Sequence, residues 1–129
     1  MIDIMIIDDS AITRKVIKRV ISMAEVEVGA IIEAEDGIDA LEKLEKQWVD
    51  VILCDINMPR MNGFELVGEI KKDPLKKAIP IIMITTEGSP KRIQELTEQG
   101  ISDYIIKPFY PEQVKSAIDK LLVRGVDKK

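Results

Sequence analysis

Five short apolar runs, each followed by a stretch of helical periodicity, limit what this 129-residue chain can fold into. The runs are Ile4–Ile7, Val28–Ala34, Val51–Cys54, Ile79–Thr85 and Tyr104–Ile106. Four are nearly continuous rather than alternating, the pattern of strands covered on both faces of a parallel sheet. The segments between them carry helix patterns with legible ends. Ile12, Val16, Val20 and Met23 predict the apolar face of a first helix, capped by Asp9 or Ser10. Ile38, Leu41 and Leu44 mark a short second helix after an Asp36-Gly37 turn; Leu66, Val67 and Ile70 mark a third that follows Gly63 and stops before Pro74. Ser89 as cap and Pro90 at the first helical position open a fourth, which Gly100 closes. Pro111 starts the last, with Val114, Ala117, Ile118, Leu121 and Leu122 on its apolar face and Gly125 beyond its end. A fivefold strand–helix alternation predicts a doubly wound α/β domain with right-handed crossovers.

The length suits one domain with one core. Only four residues follow Gly125, so residues 1–129 are expected to form a single domain with no effector domain. No strictly apolar run exceeds four residues, which leaves no membrane-spanning segment. Asp3 and the lack of a basic residue before Arg14 are unlike a secretory signal. The lone Cys54 cannot form an internal disulfide, and a cytoplasmic, reducing location is expected. A net charge of −4 argues against general nucleic-acid binding. With no histidine in the chain, Ser-His-Asp triads, Cys-His pairs and His-based zinc sites are excluded. The chemistry must come from carboxylates, hydroxyls, lysines and backbone.

In open α/β sheets, ligands bind beyond the carboxyl ends of the strands, at the topological switch point. Asp8 and Asp9 follow the first run, Asp55 follows the third, Thr85 ends the fourth, and Lys107 follows the fifth. Carboxylates drawn together repel, and a hard divalent cation resolves the conflict. Mg²⁺ is held by one or two carboxylates plus waters and leaves room for a phosphate oxygen. Lys107 then serves as a point charge toward an anion and the Thr85 hydroxyl as a donor. Each residue also has an ordinary reading: Asp9 as a helix cap, Asp55 as a loop residue before Asn57-Met58-Pro59, Thr85 as a strand residue, Lys107 as a solvated lysine. Their coincidence at four strand ends favours a site.

The motifs Ile6-Ile7-Asp8-Asp9-Ser10, Asp55 through Gly63 (DINMPRMNG), Ile84-Thr85-Thr86-Glu87 and Tyr104-Ile105-Ile106-Lys107-Pro108-Phe109 occur in this order. Over Ile2 to Leu122 the chain resembles the receiver domain of two-component response regulators, in its single-domain, CheY-like chemotaxis type. The resemblance implies a flavodoxin-like (βα)5 fold with five parallel strands in the order 2-1-3-4-5. It implies that Asp55 is the phosphoacceptor, attacking a phosphohistidine on a sensor kinase or a histidine phosphotransfer protein. Asp9, Asp55 and the Asn57 backbone carbonyl would ligate Mg²⁺, with Asp8 acting through water. Lys107 would pair with the phosphoryl oxygens, while Thr85 and Tyr104 would form the switch. Lys107–Pro108 would be cis, a geometry of only about 5–6% of X–Pro bonds.

Asn57 and Glu87 resemble the pair in rapidly self-dephosphorylating members, whereas Thr86 replaces a residue that is usually small and restricts access. These signals oppose each other, so the phosphorylated lifetime stays open. The implied protein is a phosphoacceptor rather than a turnover enzyme, monomeric, with a protein target downstream and no contact with nucleic acid or membrane. Lys91, Glu95, Tyr104, Lys115 and Asp119 are the expected exposed members of the output face. That target is a flagellar motor switch protein or, alternatively, a phosphotransfer protein in a multistep relay.

Other classes fit less well. A flavin or nucleotide binder wants a phosphate-cradling Gly- or Ser/Thr-rich loop where this chain has Asp8-Asp9. A dehalogenase-like hydrolase wants Asp-x-Asp where it has Asp8-Asp9-Ser10. A phosphorylation-independent binding module has no need of Asp8, Asp9, Asp55, Thr85 and Lys107 together.

Overall fold

Each predicted apolar run forms a strand of one parallel sheet, and each strand is followed by a helix. The computed structural model describes residues 1–86 and 88–121. In chain order the elements are β1 (Ile2–Ile7), α1 (Ala11–Met23), β2 (Val28–Ala34), α2 (Gly37–Lys46), β3 (Val51–Cys54), α3 (Gly63–Lys72), β4 (Ile81–Thr85), α4 (Pro90–Gln99), β5 (Asp103–Ile106) and α5 (Pro111–Leu121). The spatial order is β2-β1-β3-β4-β5, with every neighbouring pair parallel. The expected doubly wound, flavodoxin-like fold is therefore present.

Strand residues alternate between two apolar layers because successive side chains point to opposite faces. Met5, Ile7, Ile52, Cys54, Ile81 and Met83 pack with Leu44 of α2, Leu66, Val67 and Ile70 of α3, and Leu96 of α4. Ile4, Ile6, Val51, Leu53, Ile82 and Ile84 pack with Ile17 and Ile21 of α1 and with Val114, Ile118 and Leu121 of α5. Burial on both faces explains why these strands read as continuous apolar runs.

The topology also fixes the site. The chain steps from β1 outward to β2, then returns to the other side of β1 as β3. Crossovers to opposite sides open a crevice between the carboxyl ends of β1 and β3. Ile7 lies opposite Cys54 in that ladder, so Asp8 and Asp55 are the next pair out.

Four details differ from the sequence reading or decide between its options. Ser10, not Asp9, caps α1, its hydroxyl accepting the Thr13 N–H at 3.2 Å. Asp36 is more than a turn residue: its carboxylate caps α2 by accepting the Asp39 N–H at 2.8 Å. β4 starts at Ile81 rather than Ile79, because Ile79 closes a turn onto the Lys76 carbonyl and Pro80 has no N–H to give a ladder. The predicted face of α1 is corrected most. Ile12, Val16 and Met23 are exposed, whereas Ile17, Ile21 and Ala24 are buried. The helix carries two adjacent apolar stripes that share Val20, and periodicity alone cannot choose between them. The packing against α5 and the sheet turns the Ile17–Ile21 stripe inward. Leu122 and Gly125 lie outside the described residues.

This correction sets a stability test. Ile17→Ala and Ile21→Ala are each expected to cost about 2–5 kcal/mol in urea unfolding. Ile12→Ala and Val16→Ala are expected to stay within about 0.5 kcal/mol of wild type.

Candidate functional site

Asp8, Asp9 and Asp55 meet at the crevice between β1 and β3, each presenting a carboxylate oxygen within 4.8 Å of the others. Asp8 is 2% exposed, and its Oδ1 accepts the Ser10 N–H at 2.9 Å. Asp55 is half-buried, and its Oδ1 accepts the Ile56 N–H at 2.8 Å. Asp9 faces solvent. Lys107 approaches from β5, its Nζ 3.3 Å from Asp8 Oδ2 and 3.8 Å from Asp55 Oδ1. The Lys107 N–H donates to the Thr85 carbonyl at 2.8 Å, and the Lys107–Pro108 peptide is cis, as expected.

One ammonium does not balance three carboxylates. Burial pushes the Asp55 pKa above the ordinary carboxylate range; the Lys107 charge and the Ile56 N–H oppose the shift, while the Asp8 and Asp9 charges add to it. The donor set is all hard oxygen, surplus in negative charge and partly open to solvent. It fits a divalent cation of the Mg²⁺ class. Cys54 contributes nothing to it: its thiol points into the core, and burial, aided by the Asp55 and Asp8 charges, pushes its pKa far up.

The remaining predicted residues are distributed around this centre. Thr85 is buried at the end of β4, opposite Ile106 in the ladder, and Thr86 beside it is exposed. Asn57 is exposed on the loop two residues after Asp55. Tyr104 on β5 is 41% exposed, so its ring lies outward. Lys91, Lys115 and Asp119 are exposed and Glu95 half-buried, with Lys115 Nζ 3.0 Å from Asp119 along α5 and Arg92 3.6 Å from Glu95 along α4. Glu87 lies outside the described residues.

Two contributors escaped the sequence reading. Arg14 of α1 donates through Nη1 to the Asp8 carbonyl at 2.5 Å and through Nε to Glu33 at 2.8 Å, bracing the Asp8–Asp9 turn against β2. Lys18 also binds Glu33, and these two cations hold the Glu33 carboxyl below its ordinary pKa. Gly63, a helix start and the last residue of the Asp55–Gly63 motif in the sequence, donates its N–H to the Ile56 carbonyl at 2.7 Å. A Cβ at Gly63 would overlap the Asp55 carbonyl oxygen, so glycine lets α3 begin directly against the strand end. A DxxxxxxxG spacing from Asp55 carries that second signal; Arg14 has no local signal, since its partners come from other elements.

The raised pKa of Asp55 fixes the sign of a pH effect. The native state holds this proton more tightly than the unfolded chain, so stability falls as pH rises through the folded pKa, and ionised Asp55 is a cost at neutral pH. Asp55→Asn is expected to melt about 3–6 °C above wild type at pH 7 in EDTA, a difference that shrinks as the pH falls through the raised folded pKa and vanishes below the ordinary carboxylate range. Mg²⁺ should narrow the gap by stabilising wild type more. At tenfold excess over a millimolar dissociation constant it contributes about 1.4 kcal/mol. Identical melting curves for both proteins in all conditions would contradict the clustered-charge account.

The family model of the response regulator receiver domain matches residues 4–119. The chemotaxis protein CheY1 of Helicobacter pylori is 39% identical over 120 residues, covering 92% of this chain and 95% of that protein. The CheY homologue of Campylobacter jejuni is 35% identical over 123 residues, covering 95% and 93% respectively. Among solved structures, the chemotaxis response regulator CheY4 of Vibrio cholerae is similar with a TM-score of 0.76 and 37% identity, over 96% of this chain and 98% of that one. The signal receiver domain of a histidine kinase from Syntrophus aciditrophicus gives a TM-score of 0.85 at 26% identity, over 100% and 95%. Family match, strand order and the acidic crevice agree: this chain belongs to the response regulator receiver domains.

Proposed function

We propose that this protein acts as a receiver that takes a phosphoryl group onto Asp55 from a phosphohistidine on a kinase or phosphotransfer protein. The observation that carries this reading is the convergence of Asp8, Asp9 and Asp55 with Lys107 at the switch point of the sheet. Phosphoryl transfer asks a protein for positioning and charge neutralisation more than for proton shuttling. A chain without histidine can supply both.

In this reading an Asp55 carboxylate oxygen forms the new O–P bond as the donor's P–N bond breaks and imidazole leaves. Mg²⁺, held by Asp9, Asp55 and the Asn57 carbonyl with Asp8 through water, would neutralise charge on the phosphoryl oxygens. Lys107 exchanges its Asp8 and Asp55 contacts for the phosphoryl group. Thr85, at the end of β4, donates its hydroxyl to the same group, and Tyr104 turns inward from its exposed position on β5. That movement alters the surface of α4, β5 and α5, where Lys91, Glu95, Tyr104, Lys115 and Asp119 meet a protein target. Asn57, Thr86 and Glu87 set access to the phosphoryl group and so its lifetime.

The likeness to chemotaxis proteins supports a flagellar motor switch as the target and the cytoplasm as the place of action. No helix among the described residues is long and apolar enough to cross a membrane. The receiver domain of the Syntrophus histidine kinase supports a second reading, an intermediate in a multistep relay.

Acetyl phosphate with Mg²⁺ should add one phosphoryl group to the intact mass. Omitting Mg²⁺ or substituting Asp55→Asn should abolish the adduct. Because turnover can hide it, beryllofluoride binding is read in parallel with the same dependence. Neither adduct nor complex would leave a receiver fold that binds its partners without phosphorylation.

A further inference from the structure

The loop from Ile56 to Asn62 carries Asn57 past the acidic crevice, and its far side is tied to the start of α2. Arg60 adopts φ +62°, one of two non-glycine residues with positive φ among those described. Its Nε donates to Asp36 Oδ2 at 2.7 Å, and its Nη2 lies 3.9 Å from Glu35 Oε1. Asp36 is 2% exposed and uses both oxygens: Oδ2 toward Arg60, and Oδ1 toward the Asp39 N–H at 2.8 Å. The next residue completes the tie. The Gly37 N–H donates to the Met61 carbonyl at 3.0 Å, and a Cβ at Gly37 would fall 2.6 Å from Met61 Cγ. Glycine is required there for this close approach.

Ile56 and Met58 are buried in the core, so one side of the loop is anchored by packing. Arg60 and Met61 are anchored by Asp36 and Gly37. Asn57 sits between Ile56 and Met58, three residues before Arg60, so its peptide is held from the core side directly and from the α2 side through Met58 and Pro59. A non-glycine residue keeps positive φ only where its surroundings over-determine it. Without the Asp36 contact, Arg60 loses the side-chain restraint on its positive φ, and a relaxation toward negative φ turns the adjoining peptides and shifts the loop against its remaining tie at Met61. Burial raises the Asp36 pKa, but the Asp39 N–H and the Arg60 guanidinium outweigh it and hold the carboxyl below its ordinary value, so the pair is ionic at neutral pH.

We propose that the Asp36–Arg60 ion pair is a positioning clasp for this loop and sets the divalent-cation affinity of the Asp8–Asp9–Asp55 site through the Asn57 peptide. The inference rests on the reading of that site as a Mg²⁺ site with the Asn57 carbonyl as a ligand. Mg²⁺ demands near-ideal octahedral geometry, so a backbone ligand on a shifted loop loses affinity even though all three carboxylates stay in place. Neither Asp36 nor Arg60 touches the metal; both act by holding backbone.

The test is Mg²⁺ titration by calorimetry on wild type, Arg60→Ala, Arg60→Lys, Asp36→Asn and the Arg60→Ala/Asp36→Asn double variant, with melting temperatures in EDTA. Arg60 is half exposed, so its removal is expected to leave the fold intact, and Asn at position 36 is expected to keep the helix cap. Arg60→Ala and Asp36→Asn should each weaken Mg²⁺ binding about three- to tenfold, with Arg60→Lys recovering part of the loss. The double variant should lose no more than the worse single one, because both act through one contact. Wild-type affinity in Arg60→Ala, or losses that multiply in the double variant, would overturn the clasp. A wild type that binds no Mg²⁺ would overturn the metal reading itself, and the clasp with it.

Discussion

Asp8 and Asp55 stand side by side because the β1–β3 ladder leaves them no alternative. The pairing of Ile7 with Cys54 is fixed by two buried apolar layers, and slipping it by one residue would send every strand side chain to the wrong face. The next residues outward must then share the crevice, with Asp9 beside them. At an effective dielectric near 20, two unit charges about 4 Å apart interact by about 4 kcal/mol. Three carboxylates make three repulsions, weakest for the solvent-facing Asp9, and Lys107 offsets only part of them through its contacts at 3.3 and 3.8 Å. Core burial therefore holds together a charge cluster that would otherwise disperse. The unbalanced charge makes the site responsive to a cation or to covalent modification.

The backbone around the cluster is braced from outside it. Ser10 turns the chain into α1 immediately after Asp8 and Asp9, and Arg14 ties the Asp8 carbonyl to Glu33 on β2. Gly63 lets α3 start against Asp55, with Asn62 and Glu65 completing a capping box. Asp36 and Gly37 grip the other end of the same loop. Helix N-termini thus surround the crevice. Their caps serve the helices and, in the same contacts, hold the loops that present the acids.

The strands and helix ends were legible because each depends on local rules. Continuous apolar runs marked doubly covered strands, and Ser89-Pro90 and Gly100 marked the limits of α4. The α1 face is not legible in the sequence, because Ile12, Val16, Val20 and Met23 form as regular a stripe as the residues that are buried. Only the partner surface, Val114, Ile118 and Leu121 on α5 with the sheet, selects between stripes. Asp36 was legible as a turn residue, while its contact with Arg60, 24 residues away, was not.

The sequence by itself determined the alternation of strand and helix, the helix caps, and which polar residues follow which strand. These are properties of neighbours along the chain, where periodicity, capping and the lack of histidine act directly. Tertiary structure alone decided the distances. It brought Lys107 to Asp8 across 99 residues, rotated α1, and joined Arg60 to Asp36 and Arg14 to Glu33. Such contacts depend on sheet register and helix packing, which are settled by burial summed over the whole core and leave no mark at any single position.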